Sequence, residues 1–160
     1  MVTIRKFVIN DIEFVLNNWV GTDKLGGYWK DATKESLTKS FADWDSEIDI
    51  QGRPRVKYCI EITENGRKIP VGVIYYSYNE EGCLTYNIFI DENYRGKGYA
   101  VQATKLAEEK LKEKGIKIVK SSSFHKNIAS INLHKKVGFV LIKQEINPAG
   151  NLMYRWEKHL

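Results

Sequence analysis

Apolar residues recur at strand spacing in some stretches of the chain and at helical spacing in others, and the two periods lay out its elements. Val2–Phe7 alternates as a short strand. Asn10-Asp11 then caps a helix through Trp19, with Ile12, Val15, Leu16 and Trp19 on one face and Gly21 ending it. Residues 21–31, holding Gly26 and Gly27, read as loop. A second helix starts near Thr33, with Thr33 and Ser36 both able to cap it and Leu37, Phe41 and Trp44 along one side. From Val56 the composition turns β-branched and aromatic. Val56–Thr63, Ile69–Tyr78 and Cys83–Ile90 read as strands, and Asn65-Gly66 and Glu81-Gly82 join them into an antiparallel meander. The pattern then returns to helical spacing from Tyr99 to Lys114, through Val101, Ala103, Leu106, Ala107 and Leu111, and Gly115 stops it. A strand over Ile116–Ser122, a helix over Ile128–Val137 and strands over Phe139–Glu145 and Leu152–Glu157 complete the order. With no repeat, low-complexity tract or linker, residues 1–160 read as one α/β domain.

The 160 residues suit that reading, and 42% apolar content with 12% aromatics supplies a packed core. No run approaches the ~18 apolar residues of a membrane span, and the N-terminus shows no signal-peptide pattern. The two cysteines, Cys59 and Cys83, stand in no metal or redox spacing. The expectation is a cytoplasmic protein with no metal and no membrane partner. The net charge of +5 hides a split. Residues 1–94 carry 11 basic and 15 acidic side chains, and residues 95–160 carry 14 and 5. A basic C-terminal half attracts anions, or else lysines simply solvate its helices. Without arginine clusters it argues against a nucleic-acid partner.

The junction from Ile88 to Ala100 is the sharpest feature. A strand runs through a turn straight into the longest helix, and the turn reads Arg95-Gly96-Lys97-Gly98-Tyr99-Ala100. A helix start leaves unpaired N–H groups and the positive end of the dipole, a ready site for phosphate. Glycines let the backbone approach, and Arg95 and Lys97 add charge. The other nucleotide motifs, a P-loop or a dinucleotide fingerprint, are absent.

This segment resembles the Arg/Gln-x-x-Gly-x-Gly/Ala motif of the GNAT superfamily of N-acetyltransferases. A second segment, Asn127-Ile128-Ala129-Ser130-Ile131-Asn132-Leu133-His134-Lys135-Lys136-Val137-Gly138-Phe139, resembles that family's Asn-x-x-Ser/Ala-x-x-Leu-Tyr-x-Lys-x-Gly-Phe stretch. The resemblance implies a GNAT-like fold: a mixed sheet of about six to seven strands, with its central strands splayed, flanked by about four helices. It implies acetyl-CoA as cosubstrate and an acyltransferase that moves acetyl to a primary amine by direct attack through a tetrahedral intermediate. Carried over, the backbone of Arg95, Gly96, Lys97, Gly98, Tyr99 and Ala100 cradles the pyrophosphate. Pantetheine pairs in the gap between the strand ending at Ile90 and the one beginning at Ile116. The N–H of Phe89 or Ile90 polarises the thioester carbonyl. Asn127 and Ser130 match cofactor-side positions, and Asn127 is equally a helix N-cap.

Catalysis needs a neutral amine and a protonated or solvated leaving thiolate. Where many relatives carry Tyr in the second motif, this chain has His134, whose ordinary pKa of ~6.5 suits an acid; it reads equally as a packing residue. Glu61, on a strand beside the cleft, is the candidate base, while Asp91 and Glu92 suit a solvated turn. Tyr76 and Tyr86 are candidates for the acceptor side or for packing. The spacing Tyr94 to Ala103 looks like the branch containing the RimJ/RimL-type enzymes, so the acceptor is a protein N-terminus or a small-molecule amine. Residues 20–55 and the C-terminal hairpin would build the acceptor side, with the acidic 43–49 stretch attracting a cation or ending a solvated helix. The alternatives are a non-catalytic acyl-CoA sensor and a basic nucleic-acid module. A monomer and a homodimer both remain open.

Overall fold

A computed structural model describes residues 1–19, 52–79 and 82–160, together with Thr33, Glu35, Ser36, Lys39 and Ile48. The loop around Tyr28 and Trp29 and the acidic 43–49 stretch, Ile48 aside, lie outside the described residues. Of the expected second helix, Thr33 and Ser36 exchange backbone N–H to side-chain hydroxyl bonds in both directions, the reciprocal pairing of a capping pair.

Seven strands form one sheet in the order β1-β2-β3-β4-β5-β7-β6. They are β1 (Val2–Lys6), β2 (Arg55–Glu64), β3 (Arg67–Asn79), β4 (Gly82–Ile90), β5 (Ile118–Phe124), β6 (Val140–Ile146) and β7 (Leu152–His159). Three helices accompany them among the described residues: α1 (Ile12–Trp19), α2 (Tyr99–Glu113) and α3 (Ile128–Lys136). The mixed α/β class and the meander are therefore as expected. Asn65 and Gly66 both take positive φ, 49° and 74°, which a two-residue hairpin turn between twisted strands demands.

Period-two alternation gives the meander two apolar faces. Ile60, Ile62, Val71, Ile74 and Ile90 pack with Ala103, Ala107 and Leu111 of α2, and Val119 of β5 joins them. On the opposite face Cys59, Val73 and Phe89 pack with Phe7, Ile12 and Val15 beneath α1. Burial pushes the Cys59 thiol up to about 12, the value of an inert core residue. A 3-10 turn over Ile9–Asp11 leads into α1, and Asp11 rather than Asn10 fixes it. Its carboxylate accepts the Val8 N–H at 2.8 Å and binds Arg5 through both oxygens at 2.7 Å.

All neighbouring strands pair antiparallel except β4 and β5, which are parallel and share one bridge, Cys83 with Val119. Beyond it the two strands part. The sheet is thus two antiparallel halves hinged at a single pair, with a gap opening toward the C-terminal ends of β4 and β5. Both chains leave those ends into helices, β4 into α2 and β5 into α3. Ligands of open sheets gather outside carboxyl strand ends where the strand order turns, and this gap is such a place.

Candidate active site

The β4 edge of the gap is set by ladder parity. Asp91 N–H donates to the Val71 carbonyl at 2.8 Å, so Asp91 faces β3, and so does Phe89, opposite Val73. Ile90, the residue between, turns its N–H and carbonyl toward β5. Of the two expected oxyanion donors, Ile90 therefore presents its N–H to the gap and Phe89 does not. The Ile90 carbonyl is held by Arg95 Nε, which donates to it at 2.8 Å. Asp91 is buried and its carboxylate accepts the Asn93 N–H, which turns the chain sharply before α2.

Gly72, which the sequence reading passed over, keeps this strand exit in place. It pairs with Ile90, and a Cβ there would lie 2.3 Å from the Phe89 carbonyl oxygen and 2.8 Å from Ile90 Cδ1. Its signal was legible: a lone glycine inside Val71–Val73 marks a close backbone approach.

The turn into α2 fits an anion. Gly98 is the N-cap at φ 77°, and no side chain caps the helix. The first intrahelical bond is Gln102 N–H to the Gly98 carbonyl at 3.2 Å, so the N–H groups of Tyr99, Ala100 and Val101 precede it. Gly96 takes φ 75°; a Cβ there meets nothing within 4 Å, and one on Gly98 meets only Gln102 Nε2 at 4.0 Å. The space over both glycines is open, and side chains would fill it. Residues 95–98 are exposed, and the Lys97 ammonium sits 5.1 Å from the Tyr94 ring centre.

At the neighbouring helix start Asn127 is the N-cap of α3, its Oδ1 accepting the Ser130 N–H at 3.0 Å. Because β4 and β5 are parallel, Asn127 and Gly98 stand at the same end of the gap.

Two expected catalytic residues are corrected. His134 is only 2% exposed and packed away from solvent. Its Nδ1 lies 2.7 Å from the Ser130 carbonyl and its Nε2 2.8 Å from Ser121 Oγ. A carbonyl only accepts, so Nδ1 carries the proton and Nε2 receives the Ser121 hydroxyl. The ring stacks on Trp156 and meets Phe139 edge-on, both at 5.1 Å between centres. Burial lowers its pKa, so it is a neutral core histidine with both nitrogens engaged and no proton to offer a thiolate. Glu61 lies on β2, separated from β4 by β3, so its strand is about 10 Å from the gap. Its carboxylate accepts Arg5 Nε at 2.8 Å and is buried, as is that of Asp11, while the guanidinium the two share is part-exposed. It anchors β1 to β2.

On the α1 side of the sheet, where the gap emerges, a cavity of about 530 Å³ is lined by Asn87 of β4, Lys120 and Ser122 of β5, and Lys143, Glu145 and Arg155 of the last two strands, with Glu157 beside them. Lys143 and Arg155 both bind Glu145 and hold its pKa below the usual carboxylate range. None of these residues carries a motif, and only the crossing of β4, β5 and β7 brings them together.

Comparison with known proteins agrees with this architecture. A stretch of 75 residues, 47% of the chain, is 28% identical to an L-methionine sulfoximine/L-methionine sulfone acetyltransferase of Pseudomonas aeruginosa. The match spans 43% of that protein's length. The fold is shared with a solved domain from Methanocaldococcus jannaschii at a TM-score of 0.79, with 24% identity over 100% of this chain and 99% of the other. It is shared as well with the spermidine N-acetyltransferase of Vibrio cholerae, solved in complex with CoA and spermine, at 0.78, with 15% identity over 99% and 95%. The model of the acetyltransferase (GNAT) family matches residues 23–139, both motif segments included, and the chain belongs to that family.

Proposed function

We propose that the protein is an acetyl-CoA-dependent N-acetyltransferase that moves an acetyl group to a primary amine. The observation that carries this reading is the uncapped start of α2 at the mouth of the β4–β5 gap. Bound there, acetyl-CoA would supply an activated acetyl thioester. The N–H groups from Gly98 to Val101 would hold its pyrophosphate, with Lys97 adding charge. The exposed strand edges would take up pantetheine as an added strand. The Ile90 N–H would donate to the carbonyl oxygen as it gains charge, a contribution of ~3–4 kcal/mol for one such donor. Asn127 and Ser130 would border the cofactor from the start of α3. With His134 and Glu61 assigned to the core, protons pass through solvent at the open cavity, which a thiolate leaving group tolerates.

The acceptor enters from the α1 side. The cavity sets three cations, Lys120, Lys143 and Arg155, against Glu145 and Glu157. That balance suits a small amine that also bears an anionic group, such as an α-amino acid, over a polyamine. A protein N-terminus, the acceptor of the RimJ/RimL-type branch, is the competing substrate. No helix among the described residues is long and apolar enough to cross a membrane.

The test has two arms. Acetyl-CoA at 100 times its Kd should raise stability by ~2.7 kcal/mol, and no thermal shift at millimolar cofactor overturns the reading. Thiol release is then followed with α-amino acids, polyamines and peptides. Release with none, despite cofactor binding, would make the protein an acyl-CoA sensor.

A further inference from the structure

The sheet ends at β6, and this edge is unlike an ordinary one. Six of its seven residues, Val140 to Ile146, are exposed, and four of those are aliphatic. Val140 is 62% exposed, Ile142 59% and Ile146 64%. Soluble proteins blunt an edge strand with charge, proline or a cover, since its unpaired backbone is a template for another strand. Here a long apolar edge carries two charges, Lys143 and Glu145, placed symmetrically about Gln144.

We propose that β6 pairs antiparallel with β6 of a second copy of this chain across a two-fold axis at Gln144. The symmetry of the sequence selects both occupant and register. About Gln144, Lys143 stands opposite Glu145 of the partner subunit, and the partner subunit's Lys143 opposite Glu145. A two-fold contact repeats every pairing, so both cross-axis pairs form at once, joining the Lys143–Glu145 and Arg155–Glu145 pairs that each chain already holds. Sliding the register by one pairing step would oppose Lys143 to its own copy or Glu145 to its own copy, and like charges directly opposite destabilise a ladder.

The faces agree as well. Lys143 is registered with Arg155 and lines the cavity on the α1 side together with Glu145, so the charges share that face. Leu141 is registered with the buried Trp156, and Ile146 with Leu152. The ladder shifts between Leu141 and Lys143, making Ile142 the extra residue of a bulge. That shift brings Leu141 opposite Ile146 of the partner subunit on the face that carries α2, and the aliphatic side chains cover one another where each alone meets water. The two sheets become one continuous sheet.

The experiment measures mass in solution by sedimentation or light scattering on the full chain, without cofactor. Wild type is expected at twice the chain mass at sub-millimolar concentration. Lys143→Glu sets glutamates against glutamates and Glu145→Lys sets lysines against lysines, so each single variant should dissociate about tenfold more readily or more. An equimolar mixture of K143E and E145K restores both opposite-charge pairs in the heterodimer and should return to twice the chain mass. That recovery also shows both variants folded. Wild type at one chain mass overturns the proposal, as do single variants that associate like wild type or a mixture no tighter than its components.

Discussion

Helices α2 and α3 start side by side at the open end of the sheet, and they start in opposite ways. At α3 the chain supplies its own partner: Asn127 Oδ1 takes the Ser130 N–H, the ordinary solution for an orphaned helix donor. At α2 the N-cap is Gly98, which has no side chain to offer, and its φ of 77° is one that other residues reach at a cost. A glycine in place of a capping side chain costs a helix start only about a few tenths of a kcal/mol. The difference leaves the first donors of α2 without a side-chain cap, as the proposed pyrophosphate site requires, while at α3 the chain caps itself. Charge agrees, since residues 95–160 hold the basic excess.

The contrast breaks most visibly if α2 is given a carboxylate. Gly98→Glu puts an anion and a Cβ into the open space over the turn, and acetyl-CoA affinity should fall by at least ~100-fold, ~2.7 kcal/mol. Calorimetric titration reads the loss directly. A folded variant with normal affinity would mean that the pyrophosphate lies elsewhere. Gly72→Ala acts one step upstream, on the strand that delivers the chain to α2. Its Cβ would press on the Phe89 carbonyl, backbone that cannot swing aside. A loss of ~2–3 kcal/mol in urea unfolding is expected, with kcat falling more than KM rises, because Ile90 shifts with its neighbour.

What could be read from the sequence follows from how local each signal is. The meander and its turns were legible because alternation and Asn65-Gly66 act over a few residues. Gly115 correctly ends α2, yet β5 begins at Ile118 rather than Ile116. The reason lies in the cap: Ile116 N–H returns to the Leu111 carbonyl and Gly115 N–H to Lys112, the paired bonds of a glycine C-terminus, so Ile116 still belongs to the helix end. The glycine turn into α2 was equally legible, since both glycines and the helix start lie within six residues. His134 and Glu61 failed for the opposite reason. Their partners Ser121, Trp156, Arg5 and Asp11 come from distant segments, and nothing near either residue announces burial. The cavity on the α1 side was invisible on the same ground.

At α3 the comparison can be sharpened by separating cap from cofactor contact. Asn127→Ala removes the cap and should cost ~1 kcal/mol of stability. Asn127→Asp keeps the accepting oxygen, so thermal stability should hold. If the Asn127 amide also donates to the cofactor, the Asp variant binds acetyl-CoA more weakly while melting like wild type. If affinity and melting both stay unchanged, Asn127 is a cap alone and the two helix starts divide their roles completely.

The smallest effect concerns the histidine on α3 that chemistry would have favoured. His134 is neutral in the fold, with its pKa held below 6.5 by burial. Between that lowered value and ~6.5 the unfolded chain binds a proton that the folded chain refuses, so stability is complete above 6.5 and declines as pH falls through this window. One proton limits the slope to ~1.4 kcal/mol per pH unit. Glu108 on α2, paired with Lys158, has a raised pKa and acts in the opposite sense, so only a difference between proteins isolates the histidine. His134→Phe should flatten the fall in melting temperature between pH 7 and pH 5 relative to wild type while releasing CoA at a rate within about threefold. Parallel melting curves would assign the proton elsewhere. A collapse of turnover with the fold intact would return His134 to the chemistry and undo the division of labour between the two helices.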